Sequence, residues 1–179
     1  EAKQTVFTTA RNSNLSAAMI YHPESEQLEI EKLSLTRFPL ERLLARAAPF
    51  LDDATFDRIR KFSDRQTLVN AESSLSYSFA DKGATGDGNV ELTDLILFED
   101  RVPLTFKIRF DRSNISFPKF QLVLPAGPVS GSIALAEDGG LQGTLAGNAL
   151  QLDQCTRLHR FLPGLKGTAE LSAALSGTV

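Results

Sequence analysis

Cys155 and His159 stand four residues apart in "CTRLH", a spacing that puts both on one helix face, where a thiolate and an imidazole can hold a metal ion. Two ligands do not make a site, and no others lie nearby. The pair therefore reads as a packing cysteine and a surface histidine, and no metal is expected. The second histidine, His22, precedes Pro23 in a turn and reads as a solvated loop residue. "DKGATGDGN" (Asp81–Asn89) has the look of a calcium loop, but Gly83, Ala84 and Gly86 stand where ligands would, and the closing bidentate Glu is missing. It also lacks the Lys-Ser/Thr of a phosphate-binding loop, and it reads as a mobile hairpin tip. The adjacent carboxylates Glu99 and Asp100 would point to opposite faces of a strand, and Asp52-Asp53 fits a helix cap. No G-x-S-x-G is present. These residues predict a binding protein without a cofactor, not an enzyme.

The totals narrow the partners. A chain of 179 residues with 42% hydrophobic and 23% charged residues can fold as one domain, 1–179, with a sizeable core. A net charge of −3 argues against nucleic acid. The single cysteine excludes an internal disulfide. The longest uncharged apolar run, Phe120–Ala136, contains Pro125, Gly127, Pro128 and Gly131, which mark turns between strands and not a membrane-crossing helix. The first residue is Glu1, so a signal sequence, a membrane anchor or other domains are expected upstream.

Period-two alternation dominates. Leu75, Tyr77 and Phe79 share one parity, as do Leu104, Phe106, Ile108 and Phe110, with Thr105, Lys107 and Arg109 on the opposite face. Phe120, Leu122 and Leu124 continue the pattern, then Ile133 and Leu135, then Leu171, Ala173 and Leu175. Turns are expected at His22–Gln27, Gly86–Asn89, Asp111–Asn114, Pro125–Pro128 and Glu137–Gly140. Connections this short make consecutive strands antiparallel neighbours, with about nine to eleven strands in total.

The positioning elements include one helical interruption. In Pro39–Phe50, Leu40, Leu43, Leu44 and Ala47 form an apolar stripe opposite Glu41, Arg42 and Arg46. Pro49 ends this helix, and Asp52 or Asp53 caps a second over Asp53–Phe62 that carries Phe56 and Ile59. A third helical turn is expected at Gln154–Leu162, before Pro163-Gly164. Seven basic residues (Arg37, Arg42, Arg46, Arg58, Arg60, Lys61, Arg65) face five acidic ones in and around the insertion. That reads as a solvated helix surface, with an anionic lipid surface as the alternative.

Two short apolar stripes cannot cover a meander of roughly ten strands, so the sheet must close on itself or curl into a trough. The expected class is mainly β: a long antiparallel curled sheet, groove or open barrel-like, with two or three short helices. Leu104, Phe106, Ile108, Phe110, Phe120, Leu122, Leu124, Ile133 and Leu135 are the candidate lining of an apolar groove suited to acyl chains.

Glycines recur on set beats in the strands "VSGSIAL", "LQGTLAG", "LKGTAEL" and "ALSGTV". With its strand, short helical piece, "LPG" and closing "LSGT", Gly131–Val179 resembles the AsmA-like/TamB-like proteins of Gram-negative envelopes. "LSLTRFPLERLLARAAPFL" is similar to the same element, and the insertion Pro39–Arg65 is longer than that family's usual helical piece. The resemblance covers about a quarter of the chain and is a rhythm of residues that carries over no catalytic position. It implies a periplasmic protein anchored to the inner membrane by a part not present in this sequence. Its hydrophobic β-groove would move phospholipid toward the outer membrane. The alternative is a scaffold or secretion component that binds protein and assists outer-membrane-protein assembly.

Overall fold

The computed structural model describes residues 3–9, 13–48, 53–97, 100–112, 114–154 and 162–178. Ten strands follow one another in a single sheet in chain order, each antiparallel to the next: β1 (Lys3–Thr9), β2 (Ser13–His22), β3 (Gln27–Pro39), β4 (Leu68–Ser78), β5 (Gly83–Leu97), β6 (Asp100–Arg112), β7 (Asn114–Leu124), β8 (Gly127–Leu135), β9 (Gly140–Gln151) and β10 (Thr168–Thr178). The first and last strands do not pair, so the sheet is open. Between β3 and β4 lie α1 (Leu40–Ala47) and α2 (Asp53–Arg60). A three-residue 3-10 turn, Leu152–Gln154, follows β9, and of the helical turn expected at Gln154–Leu162 only the two end residues are described. Residues 155–161, with Cys155 and His159, lie outside the described residues, as do Asp52 and Pro49. No helix among the described residues is long and apolar enough to cross a membrane.

The alternation in the sequence becomes two faces. Along β6, Leu104, Phe106, Ile108 and Phe110 are half-buried while Thr105, Lys107 and Arg109 are exposed. Turns form at His22–Gln27, Pro125–Pro128 and Glu137–Gly140, as the Gly, Asp and Pro there require, and Asp111 pairs with Asn114 where β6 passes to β7. The expected turn at Gly86–Asn89 is a correction. Those residues are inside β5, and the connection is Phe79–Lys82, where Lys82 adopts φ 51°. Asp81 belongs to that turn, its carboxylate accepting from the Ser78 hydroxyl at 3.3 Å. Gly86 serves close approach instead: a Cβ there would stand 2.2 Å from the Ser74 carbonyl oxygen.

Burial is lopsided. Among the described residues the buried apolar side chains are Leu44, Val69, Leu95, Val102, Ala126 and Val129. The sheet residues among them lie toward the end that carries the helices, the end of β3, β5 and β9 and the start of β4, β6 and β8. The same end carries a bulge in each odd strand named: Arg37 in β3, Asp94 in β5 and Ala149 in β9 all have φ near +50° and sit at register shifts. A bulge adds a residue to one strand, bends it and raises its twist. Each needs its orphaned backbone groups satisfied. The Arg37 N–H donates to Asn70 Oδ1 at 2.8 Å, and the Asp94 carbonyl accepts from Thr67 Oγ1 at 3.1 Å.

A side-chain clamp fastens the helical insertion to this end. The Arg101 guanidinium grips Asp64 with both terminal nitrogens, and the Gln66 N–H donates to the same carboxylate at 2.8 Å. The Arg101 bond, then the Gln66 N–H, hold the Asp64 carboxyl down at about 2 instead of the usual 3.8. A depressed carboxylate stabilises the fold above its unfolded pKa, and the contribution is lost as pH falls through the folded one. Melting temperature should therefore fall more steeply in the wild type than in Asp64→Asn between about pH 4 and about pH 2. Parallel pH profiles in that window would refute the clamp. Asp64 is partly exposed, so the difference should be modest.

Candidate apolar groove

The residue-to-residue register carries one apolar row across nine strands. From β2 to β10 it reads Leu15, Leu35, Ala71, Val90, Phe106, Phe120, Gly131, Leu145 and Ala173, each directly opposite the next. Strands are about 4.8 Å apart, so the eight steps make a track roughly 38 Å long. A second row, Val69, Leu92, Leu104, Leu122, Val129 and Gly147, runs beside it toward the helices. A third, Leu75, Gly86, Phe110, Ile115, Leu135 and Leu141, runs on the far side.

Where the second row meets the helical insertion, a cavity of about 510 Å³ opens. Its twelve lining residues are all apolar: Leu40, Ile59, Phe62, Leu92, Leu95, Leu97, Leu104, Phe106, Phe117, Phe120, Leu122 and Ile133. Five of the nine residues expected to line a groove are here: Leu104, Phe106, Phe120, Leu122 and Ile133. Ile108, Phe110, Leu124 and Leu135 share the apolar face but lie outside this cavity.

The remaining lining residues escape strict alternation. Phe117 and Phe120 differ in parity, yet both reach the cavity because the β7–β8 register shifts between them at Pro118-Lys119. Pro118 was the signal in the sequence, since proline in a strand marks a bulge or an edge. Phe117 meets Phe106 edge-on, ring centroids 5.6 Å apart. Leu92 and Leu95 share a face for the same reason: β5 gains a residue at Thr93-Asp94, opposite Pro103 of β6. Leu40, Ile59 and Phe62 come from the helical insertion, and only the tertiary fold brings them over the strands.

Among the described residues no second layer covers most of this face. Its side chains are instead sheltered by leaning across onto glycines of the neighbouring strand. The Phe120 ring lies where a Cβ on Gly131 would come within 2.8 Å, and Ile108 lies 3.4 Å from the same point on Gly88. That leaves the row half-buried, with Phe79 (49% exposed) and Tyr21 (54%) open at the end away from the helices. Tyr21 and Tyr77 flank Phe79 there, both edge-on.

Among the described residues, no three His, Cys, Asp or Glu side chains gather as a metal would require. His22 stands exposed at the end of β2, with Nε2 3.3 Å from Glu29 Oε2. Of the other carboxylates considered, Asp100 opens β6. On α1 and α2 the described charged residues Glu41, Arg42, Arg46, Asp57 and Arg60 are exposed, while Leu43, Leu44, Phe56 and Ile59 turn inward.

Comparison with family models, curated proteins and solved structures returns no match. The likeness of Gly131–Val179 to AsmA-like/TamB-like proteins therefore rests on its sequence rhythm alone.

The two faces of β6 give a direct check. In a Cys155→Ser background, cysteines at Thr105, Lys107 and Arg109 should react with a polar maleimide several-fold faster than cysteines at Leu104, Phe106 and Ile108. Uniform rates along the strand would overturn the assignment of faces.

Proposed function

We propose that the apolar face is a groove for acyl chains. In this reading the chain is a periplasmic segment of an envelope-biogenesis protein of the AsmA-like/TamB-like kind. A part outside this sequence anchors it to the inner membrane, and phospholipid is guided along the sheet toward the outer membrane. The observation that carries the reading is the uninterrupted apolar row across nine strands, over which, among the described residues, only the helical insertion is laid, and only in part. A track roughly 38 Å long suits an extended, unbranched apolar ligand better than a compact one. The bulges at Arg37, Asp94 and Ala149 support a sheet that curls at the helix end and is open at the other. Each buried CH₂ is worth about 0.8 kcal/mol, so a chain lying along the row gains affinity from length.

The test is native mass spectrometry of the purified chain, followed by crosslinking to a photoactivatable phospholipid. Co-purified lipid and crosslinks mapping to β5–β8 are expected. Wild-type protein that neither carries nor crosslinks lipid would defeat the proposal.

One observation favours a second reading, a scaffold that binds protein. The outer edge of β10 is an eleven-residue strand without proline, and its Leu171 and Leu175 are exposed. Such an edge can accept an added strand. A strand-forming client that protects the β10 amides from hydrogen exchange would identify this use.

A further inference from the structure

The opposite face of the same sheet holds a trough of about 720 Å³ that crosses β3 to β7, lined by ten polar residues together with Leu35, Ala71, Val90 and Phe106. Its side chains follow the register in two rows. One reads Ser34, Glu72, Asn89, Lys107 and Lys119; the other reads Asn70, Glu91, Thr105 and Gln121. Elsewhere on this face the charges are matched across strands. Arg109 lies directly opposite Asp87, and Lys32 bridges to Glu72 at 3.5 Å. Glu91 accepts from Asn70 Nδ2 at 3.0 Å, and Asn70 is itself fixed by its bond to the Arg37 bulge.

Lys107 and Lys119 break this order. They are direct cross-strand partners, and among the described residues neither ammonium has a carboxylate within 4.0 Å. Like charges set opposite each other weaken a sheet. Of the trough's two carboxylates, Glu72 is paired with Lys32 and Glu91 is bonded to the neutral Asn70 amide, and neither lies within 4.0 Å of Lys107 or Lys119. Around the two lysines stand the amides and hydroxyl of Asn89, Gln121 and Thr105, which can donate and accept.

We propose that this trough is a second binding site, for an acidic oligosaccharide. Lys107 and Lys119 hold one carboxylate or other oxyanion of the sugar between them. Asn89, Thr105 and Gln121 bond its hydroxyls. The trough spans five strands, which is far more than a lone anion fills, and ten of its fourteen lining residues are polar, which suits a hydroxyl-rich chain better than an acyl chain. The site is distinct from the apolar cavity, with which it shares only Phe106, because alternate residues of one strand serve opposite faces.

Titration calorimetry on the full chain tests this with three probes: tetragalacturonate, the neutral maltotetraose, and inorganic phosphate. Tetragalacturonate should bind, weaken as salt is raised, and exceed both other probes by about tenfold or more. Lys119→Glu is the informative variant. It should reduce tetragalacturonate binding at least tenfold while the free protein melts at the same or a higher temperature, because Lys107 then faces a carboxylate. Leu122→Asp, which lines the apolar cavity and not the trough, should leave tetragalacturonate binding unchanged, which separates failure of this site from failure of the groove. The proposal is overturned if wild type does not bind tetragalacturonate, if Lys119→Glu binds it equally well, or if phosphate alone binds as tightly.

Discussion

Phe106→Asp is expected to abolish crosslinking to a photoactivatable phospholipid while leaving a folded sheet. Phe106 is where the arguments for a groove converge. It lies mid-row between Val90 and Phe120, it lines the apolar cavity, and its ring packs edge-on against Phe117. It is only half-buried, so a carboxylate there can reach water in the free protein. With an acyl chain laid over it, the same carboxylate is stripped of water without a partner, which costs at least a few kcal/mol. A loss of about 3 kcal/mol is roughly a hundredfold in affinity. Phe106→Ala removes the ring without adding charge. It should retain measurable crosslinking at a cost of the order of 1.5–3 kcal/mol for the lost apolar contact. The pair of variants separates an open groove from a sealed core. In a sealed core Asp unfolds the protein and the wild type never crosslinks, and the protein-binding reading then becomes the better one. Ile108→Asp should have a smaller effect, because Ile108 shares the face but lies over Gly88, outside the cavity.

That difference between Ile108 and Phe106 marks what the sequence makes legible. Alternation in Leu104–Phe110 assigns each residue a face, because the side-chain period of a strand is two and one face is apolar. Alternation says nothing about depth along the strand, so it cannot tell that the cavity reaches Phe106 and stops before Ile108. It also fails wherever a bulge inserts a residue. Counting parity from Phe120 puts Phe117 on the wrong face, and counting from Leu92 does the same to Leu95. Both failures have local marks, Pro118 in one strand and Asp94 at φ 56° opposite Pro103 in the other, but only the two prolines are visible without coordinates. The Gly86–Asn89 segment misleads for a related reason. Gly-Asp-Gly-Asn carries turn chemistry, yet Gly86 is there because β4 passes too close for any side chain. The cavity's helical wall of Leu40, Ile59 and Phe62 depends on how the insertion folds back on the sheet. The apolar stripe of α1 predicts that it packs, but not upon which strands.

Gly131→Val should be among the most damaging single changes in the sheet, and Gly177→Val among the mildest. The two glycines look alike in sequence, each followed by a small polar residue within a glycine-punctuated strand. Their surroundings differ. A Cβ on Gly131 would stand 2.0 Å from the Thr144 carbonyl oxygen of β9 and 2.8 Å from Cζ of Phe120 in β7. The first obstacle is backbone, so the β8–β9 ladder must open or shift. The second is the ring that forms the middle of the apolar row, so Phe120 must leave its place over Gly131. Overpacking of this kind costs about 1–3 kcal/mol, and a broken ladder bond adds about 1 kcal/mol. A loss of about 2–4 kcal/mol is expected, a large share of the stability of an ordinary domain. Gly177 is exposed in β10, with nothing within 4 Å of an added Cβ. Valine there should change stability by no more than about 0.5 kcal/mol. Urea unfolding of both variants beside the wild type measures the contrast. Equal midpoints would mean that β8 and β9 are not packed as closely as the structure places them. If Gly131→Val proves destabilised, Gly131→Ala should be only partly better, since even a methyl group meets the Thr144 oxygen. Substituting Phe120→Ala in the same chain should recover the ring's share of the loss and leave the backbone's share standing.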